Sequence, residues 1–176
     1  MRGWKSILVG VAIGVTVSAA VYAQQKGSGK ALTQEDYAEI QRLYARYNWA
    51  LDSHAEGGMA LAKLFTSDAE WINGTTKYVG HERLAKFGAG STPAVPGPPR
   101  HIATNIIITP SPEGARGSAY LLYIAPTPAD GKPSMVVTGT YDDTFVKTAQ
   151  GWRFKRREFG SDKLMMPEGV PFLSAN

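Results

Sequence analysis

Two residues in the stretch "PPRHIATNIIITP" (98–110) carry side chains suited to chemistry, His101 and Asn105. A neutral imidazole can remove a proton near neutral pH, and a carboxamide can orient a substrate oxygen. Side chains alternate along a strand, so His101, Ala103, Asn105 and Ile107 share one face and Ile102, Thr104, Ile106 and Ile108 the other. The second face is apolar and suits packing. The first is mixed, and the small Ala103 leaves room between two polar groups, as a pocket floor would need. Solvent on that face is the competing reading, because one side of an antiparallel sheet is often wet. Pattern alone leaves both open.

The stretch "VVTGTYDDTFVKTAQGWRF" poses a similar choice. Val137, Gly139, Tyr141, Asp143 and Phe145 fall on one face, with Thr138, Thr140, Asp142 and Thr144 on the other. The threonine face reads as exposed and the aromatic face as internal, which makes Asp143 a buried acid in need of a partner. Arg156 on the next strand is the expected partner, in a structural ion pair rather than a catalytic one. "RFKRR" (153–157) divides between two strand faces and reads as a solvated surface.

Other chemistries lack their residues. The chain has no cysteine, which excludes thiol catalysis and disulfides, and its three histidines show no H-x-x-x-H spacing. There is no G-x-S-x-G or G-x-G-x-x-G element, and "GAGSTPAVPG" lacks the lysine and following helix of a phosphate loop. His54 and His81 read as surface residues of a loop and a helix start.

The elements that must position these groups follow from periodicity. "LTQEDYAEIQRLYARYNWALDSH" predicts one long helix, capped by Thr33 and buried along Ile40, Leu43, Tyr44, Tyr47 and Leu51. Asp52 follows close to that face, where it could equally serve the helix end or an ion pair. "MALAKLF" predicts a second, short helix. "DAEWI" and "TTKYV" predict a hairpin, with Asn73-Gly74 suited to a type I′ turn. "GHERLAKF" predicts a further helix, and strands are expected at 101–109, 117–125, 134–147 and 152–159, before an irregular tail. Helices followed by hairpin-linked strands make an α+β domain with a mostly antiparallel sheet.

Residues 1–23 are set apart from that domain. A basic start, the apolar run "SILVGVAIGVTVSAAV" and small residues ending at Ala23 follow the plan of a secretory signal peptide. An uncleaved membrane anchor is the alternative. A flexible linker, 24–31, would join either to the domain. Cleavage removes Arg2 and Lys5 and no acid, lowering the formal charge from +4 to +2. That balance gives no footprint for nucleic acid.

"IQRLYARYNWALDSHAEGGMALAKLFTSDAEW", "YVGHERLAKF", "RHIATNIII" and "GTYDDTFVKTAQGWRFKRREF" occur in the order seen in SnoaL-like proteins of the nuclear transport factor 2-like superfamily. The resemblance spans roughly residues 32–160. It implies a cone-shaped, curved antiparallel sheet wrapped around the long helix and enclosing an apolar pocket. The nearest pattern resembles the scytalone dehydratase branch, in which an aspartate ending the first helix faces a histidine opening a central strand. Asp52 and His101 match those positions. His81 is not securely matched to that branch's second catalytic histidine.

Taken with the signal-peptide plan and the missing metal motif, the resemblance implies a small exported enzyme with no cofactor and no metal. It would dehydrate, isomerise or cyclise an apolar oxygenated ring compound, with His101 as base and Asp52 as its partner. Asn105, Tyr47, Tyr141 and Trp71 would contact substrate, and the chain would form a homodimer or larger homo-oligomer. A non-catalytic binding or assembly module of the same fold is the alternative.

Overall fold

A computed structural model describes residues 30–90, 97–126 and 130–162. The segment read as a secretory signal lies outside the described residues, as do most of the linker, positions 91–96 of the proline-rich loop and residues 163–176. No described helix is long and apolar enough to cross a membrane.

The long helix α1 runs Gln34–Ser53. Its start is fixed by a reciprocal cap: the Asp36 N–H donates to Thr33 Oγ1 (3.2 Å), and the Thr33 N–H donates to Asp36 Oδ2 (2.9 Å). Asp36 Oδ1 also accepts from Trp152 Nε1 (2.9 Å) and Lys147 Nζ (2.7 Å), which ties the helix start to the last hairpin. The predicted stripe Ile40, Leu43, Tyr44, Tyr47 and Leu51 is buried throughout. His54 ends the helix at φ 50°, and a 3-10 turn at Ala55–Gly58 leads into α2, Met59–Ala62. Gly58 is required there, because at φ 84° a Cβ would lie 2.0 Å from the Ala85 carbonyl oxygen.

The second helix is shorter than "MALAKLF" suggests. The Leu64 carbonyl accepts from the Phe154 N–H (3.0 Å), so the chain has already joined the sheet. Strands β1 (Phe65–Asn73) and β2 (Thr76–Val79) form the expected hairpin, followed by α3 (Gly80–Gly88). Asn73 pairs with Thr76, which leaves Gly74 and Thr75 in the turn. Only Gly74 has positive φ there, so the type I′ turn, which needs it at both central residues, does not form.

Strands β3 (Arg100–Ser111), β4 (Gly114–Pro126), β5 (Pro133–Thr148) and β6 (Gly151–Ser161) complete the domain. The strand order is β2-β1-β6-β5-β4-β3, with β1 and β6 parallel and the other neighbours antiparallel. The fold is α+β, a six-strand, mostly antiparallel sheet packed against an N-terminal helix. Side chains of α1 bond to β1, β3, β5 and β6, so the helix spans the inner face.

Two bulges decide which side chains look inward. In β3, Thr104 pairs with Tyr120 but Ile107 pairs with Ser118, so Asn105 and Ile106 oppose the single residue Ala119. Asn105 takes φ 53° at that step. In β6, Thr144 pairs with Arg156 and Phe145 with Phe154, leaving Lys155 as the extra residue. Each bulge reverses the alternation of everything after it.

Candidate active site

The end of α1 meets the start of β3 through Asp52 and His101. Asp52 Oδ1 lies 2.6 Å from His101 Nδ1. The His101 backbone N–H also donates to both carboxylate oxygens, at 3.1 Å and 3.2 Å. Gripping the ring and backbone of one residue together fixes the imidazole's rotation. A carboxylate only accepts hydrogen bonds, so Nδ1 carries the proton and Nε2 is left as the basic nitrogen. The two side chains are 14% and 10% exposed, shielded yet reachable.

Tyr123, the register partner of His101 on β4, packs against the imidazole with ring centroids 4.5 Å apart. Burial and then the nearby Asp52 charge push its pKa up, so the phenol keeps its proton. Asp52 and His101 line a cleft of about 370 Å³, bordered also by Asn48, Trp49, Ser53, Pro98 and Arg100. A second cleft of about 330 Å³ shares Pro98 and Arg100 with it and is walled by Ile124, Ala125, Pro126 and Pro133.

The expected substrate contacts lie elsewhere. Asn105 is exposed, beyond the reach of the cleft, and its Oδ1 accepts from Thr104 Oγ1 (3.0 Å). The bulge at that residue ends the face it was expected to share with His101. The same step sends Ile106 and Ile108 inward and leaves Ile107 64% exposed; Ile102, expected to pack, is 41% exposed.

Tyr47, Tyr141 and Trp71 are core residues rather than cleft residues. Trp71 Nε1 donates to Tyr47 Oη (2.8 Å), and the Tyr47 and Tyr141 rings meet edge-on at 5.9 Å. Burial raises the pKa of both phenols. These side chains are buried between helix and sheet.

Asp143 is buried as expected, but its partner is Arg157. Arg157 Nε and Nη2 donate to the two carboxylate oxygens at 2.7 Å each, with both side chains 0% exposed. The β6 bulge turns Arg157 inward and Arg156 outward to Glu158, so one arginine of "RFKRR" belongs to the core. The guanidinium carbon lies 3.9 Å from the Tyr141 ring centre, 4.2 Å from Tyr47 and 4.3 Å from Phe154. Burial opposes the charge, but Asp143 outweighs it and holds the Arg157 pKa above its ordinary value.

The other two histidines are half-buried staples rather than surface residues. The His54 ring bonds through Nδ1 to the Gly88 carbonyl (3.0 Å), and His81 through Nε2 to that of Phe65 (3.0 Å). Among the described residues, no cluster of three or more His, Asp or Glu could hold a metal ion. Sequence reasoning missed Asn48, Tyr123, Trp49 and Arg100. Asn48 had a signal, since it stands four residues before Asp52 and therefore on the same helical face.

The sequence pattern of the SnoaL-like domain matches residues 33–158. Among curated proteins, none matches the chain. Several solved structures share its fold. A single-residue variant of Rv3472, a protein of unknown function from Mycobacterium tuberculosis, superposes with a TM-score of 0.66 at 22% identity, over 79% of this chain and 84% of that one. An NTF2-like protein with a cystatin-like fold from Novosphingobium aromaticivorans gives 0.61 at 24% identity, over 77% and 84%. A candidate aromatic ring hydroxylase from the same organism gives 0.63 at 27% identity, over 77% and 93%. With its pattern matched from the capping Thr33 to Glu158 in β6, the chain belongs to the SnoaL-like family, on the nuclear transport factor 2-like fold.

Proposed function

We propose that the chain is an enzyme performing acid–base chemistry on an apolar, oxygenated ring compound by dehydration, isomerisation or cyclisation. The observation that carries this reading is the 2.6 Å contact between Asp52 and His101 at the wall of a cleft. Nε2 takes a proton from the carbon beside a substrate carbonyl, and the released electron pair moves onto the carbonyl oxygen. Asp52 stabilises the imidazolium that forms. Tyr123, which keeps its proton, is the nearest candidate for the general acid. The mostly apolar second cleft receives the body of the ring.

Thermal-shift screening of oxygenated ring compounds tests this, because a ligand that binds only the folded state raises the midpoint. Compounds that shift the wild type are then followed for conversion by mass spectrometry. Conversion that falls about 10²–10⁴-fold in His101→Ala supports the proposal. Hits recovered unchanged would favour the binding module instead.

Export and self-association belong to the same proposal. Cleavage after Ala23 predicts a secreted chain beginning at Gln24, and an intact amino terminus in the membrane fraction would overturn it. The sheet face turned away from α1 exposes Ile102, Ile107, Tyr120 and Met135, and a second copy of the chain is the occupant expected there. Light scattering that finds only monomer would rule that out.

A further inference from the structure

Asn48 sits one helical turn before Asp52 and borders the cleft that His101 lines. The residue is about nine-tenths buried, and its Oδ1 meets no donor among the described residues. Buried carboxamide oxygens are seldom left without a donor, so this one needs a reason. None of the polar side chains lining the cleft donates to this oxygen among the described residues. Asp52 is a carboxylate held by His101, the Ser53 hydroxyl donates to the Trp49 carbonyl (2.7 Å), and Arg100 Nη1 donates to the Pro99 carbonyl (2.7 Å).

We propose that Asn48 recognises a hydroxyl group of the substrate, its Oδ1 accepting the O–H while His101 acts on a neighbouring carbon. The inference deepens the acid–base reading of the cleft and rests on it for the location of the reacting atoms. Side chains four apart on a helix stand about 5–6 Å apart at Cβ, which is the span of a few bonds in a ring compound. A hydroxyl held at Asn48 therefore leaves the adjacent ring carbons facing the imidazole that Asp52 orients. The substrate class narrows to ring compounds bearing a hydroxyl, with their apolar portion directed along Pro98 toward Ile124 and Pro126.

Indanol and its parent hydrocarbon indane, which differ in the hydroxyl alone, test this by calorimetric titration of the protein. The wild type should bind indanol about tenfold more tightly than indane, the scale of one satisfied hydrogen bond. Asn48→Leu, which keeps the volume and removes the acceptor, should bring the two affinities together. Asn48→Asp, which keeps an acceptor oxygen, should retain the preference. In isotope-labelled wild type, indanol should shift the Asn48 carboxamide resonances and indane should not, a readout that needs no variant to fold. No preference in the wild type, or a preference that survives Asn48→Leu, overturns the proposal. Indanol lacks a carbonyl and reports binding alone, so the two readings separate: His101→Ala should keep the indanol preference while losing turnover of any compound that the thermal-shift screen finds converted. If the preference holds but every carbonyl-bearing ring compound that binds is recovered unchanged by the wild type, the acid–base reading falls and Asn48 stands.

Discussion

Asp52 and Asp143 each hold a nitrogen-bearing side chain at nearly the same distance, 2.6 Å to His101 and 2.7 Å to Arg157. Their surroundings differ completely. The first pair sits at a cleft wall with about a tenth of its surface exposed, and the imidazole meets the carboxylate through Nδ1 alone. The second is sealed, with both carboxylate oxygens matched to a guanidinium and aromatic rings closing over it. A proton can reach and leave the first pair, whereas the second can only be formed or broken. The proposed chemistry therefore rests on Asp52, whereas Asp143 holds the core together.

Breaking the sealed pair should have the largest effect. Arg157→Met leaves Asp143 as an uncompensated buried charge and should cost about 3–5 kcal/mol in urea unfolding. The double change Asp143→Leu with Arg157→Met should recover most of that loss, since neither charge then remains. If the single change costs less than about 1 kcal/mol, Asp143 is not holding the core in the way described.

Asp52→Asn should reverse that profile. The fold should survive with a loss of about 1–3 kcal/mol, because the pair is partly reachable by water. Turnover of a converted compound should fall about a hundredfold or more, since the amide no longer fixes the imidazole tautomer or stabilises its charge. Large unfolding with unchanged specific activity would make this pair structural as well.

A third carboxylate calibrates the other two by its response to acid. Hydrogen bonds from Lys147, the Thr33 backbone and Trp152 hold the Asp36 pKa well below its ordinary value. Its stabilising contribution is complete above the ordinary carboxylate range and is lost as pH falls through the depressed folded value. Asp36→Asn should lower the melting temperature at neutral pH and flatten its decline in acid. An unchanged acid limb would mean other groups control it.

The smallest change is expected at Asn105. Asn105→Gly relieves a positive φ at an exposed position and should alter stability by no more than about 1 kcal/mol. Ligand affinity should not move. If it does, the bulge is transmitting strain to His101.

Much of the fold was legible in the chain. The capped helix, its buried stripe and the run of long strands follow from periodicities that short-range sterics impose. Asp143 was recognisable as a buried acid for the same reason, because β5 keeps its alternation from Val137 to Phe145. His101 stood out as a strand histidine beside a small residue. What it faced came from family resemblance, since 49 positions separate it from Asp52.

Sequence by itself thus determined which elements form and which residues are able to carry chemistry, since both depend on neighbours within a few positions. Tertiary structure decided the assignments that depend on register. A bulge costs one residue and leaves no mark in composition, yet the one in β6 exchanged Arg156 for Arg157, and the one in β3 removed Asn105 from the site. Packing decided the rest, because Tyr47, Trp71 and Tyr141 meet one another in the core while Asp52 and His101 line the cleft at the helix end. Hydrophobic periodicity says that a side chain turns inward, and only the filled volume says whether it meets a ligand or another side chain.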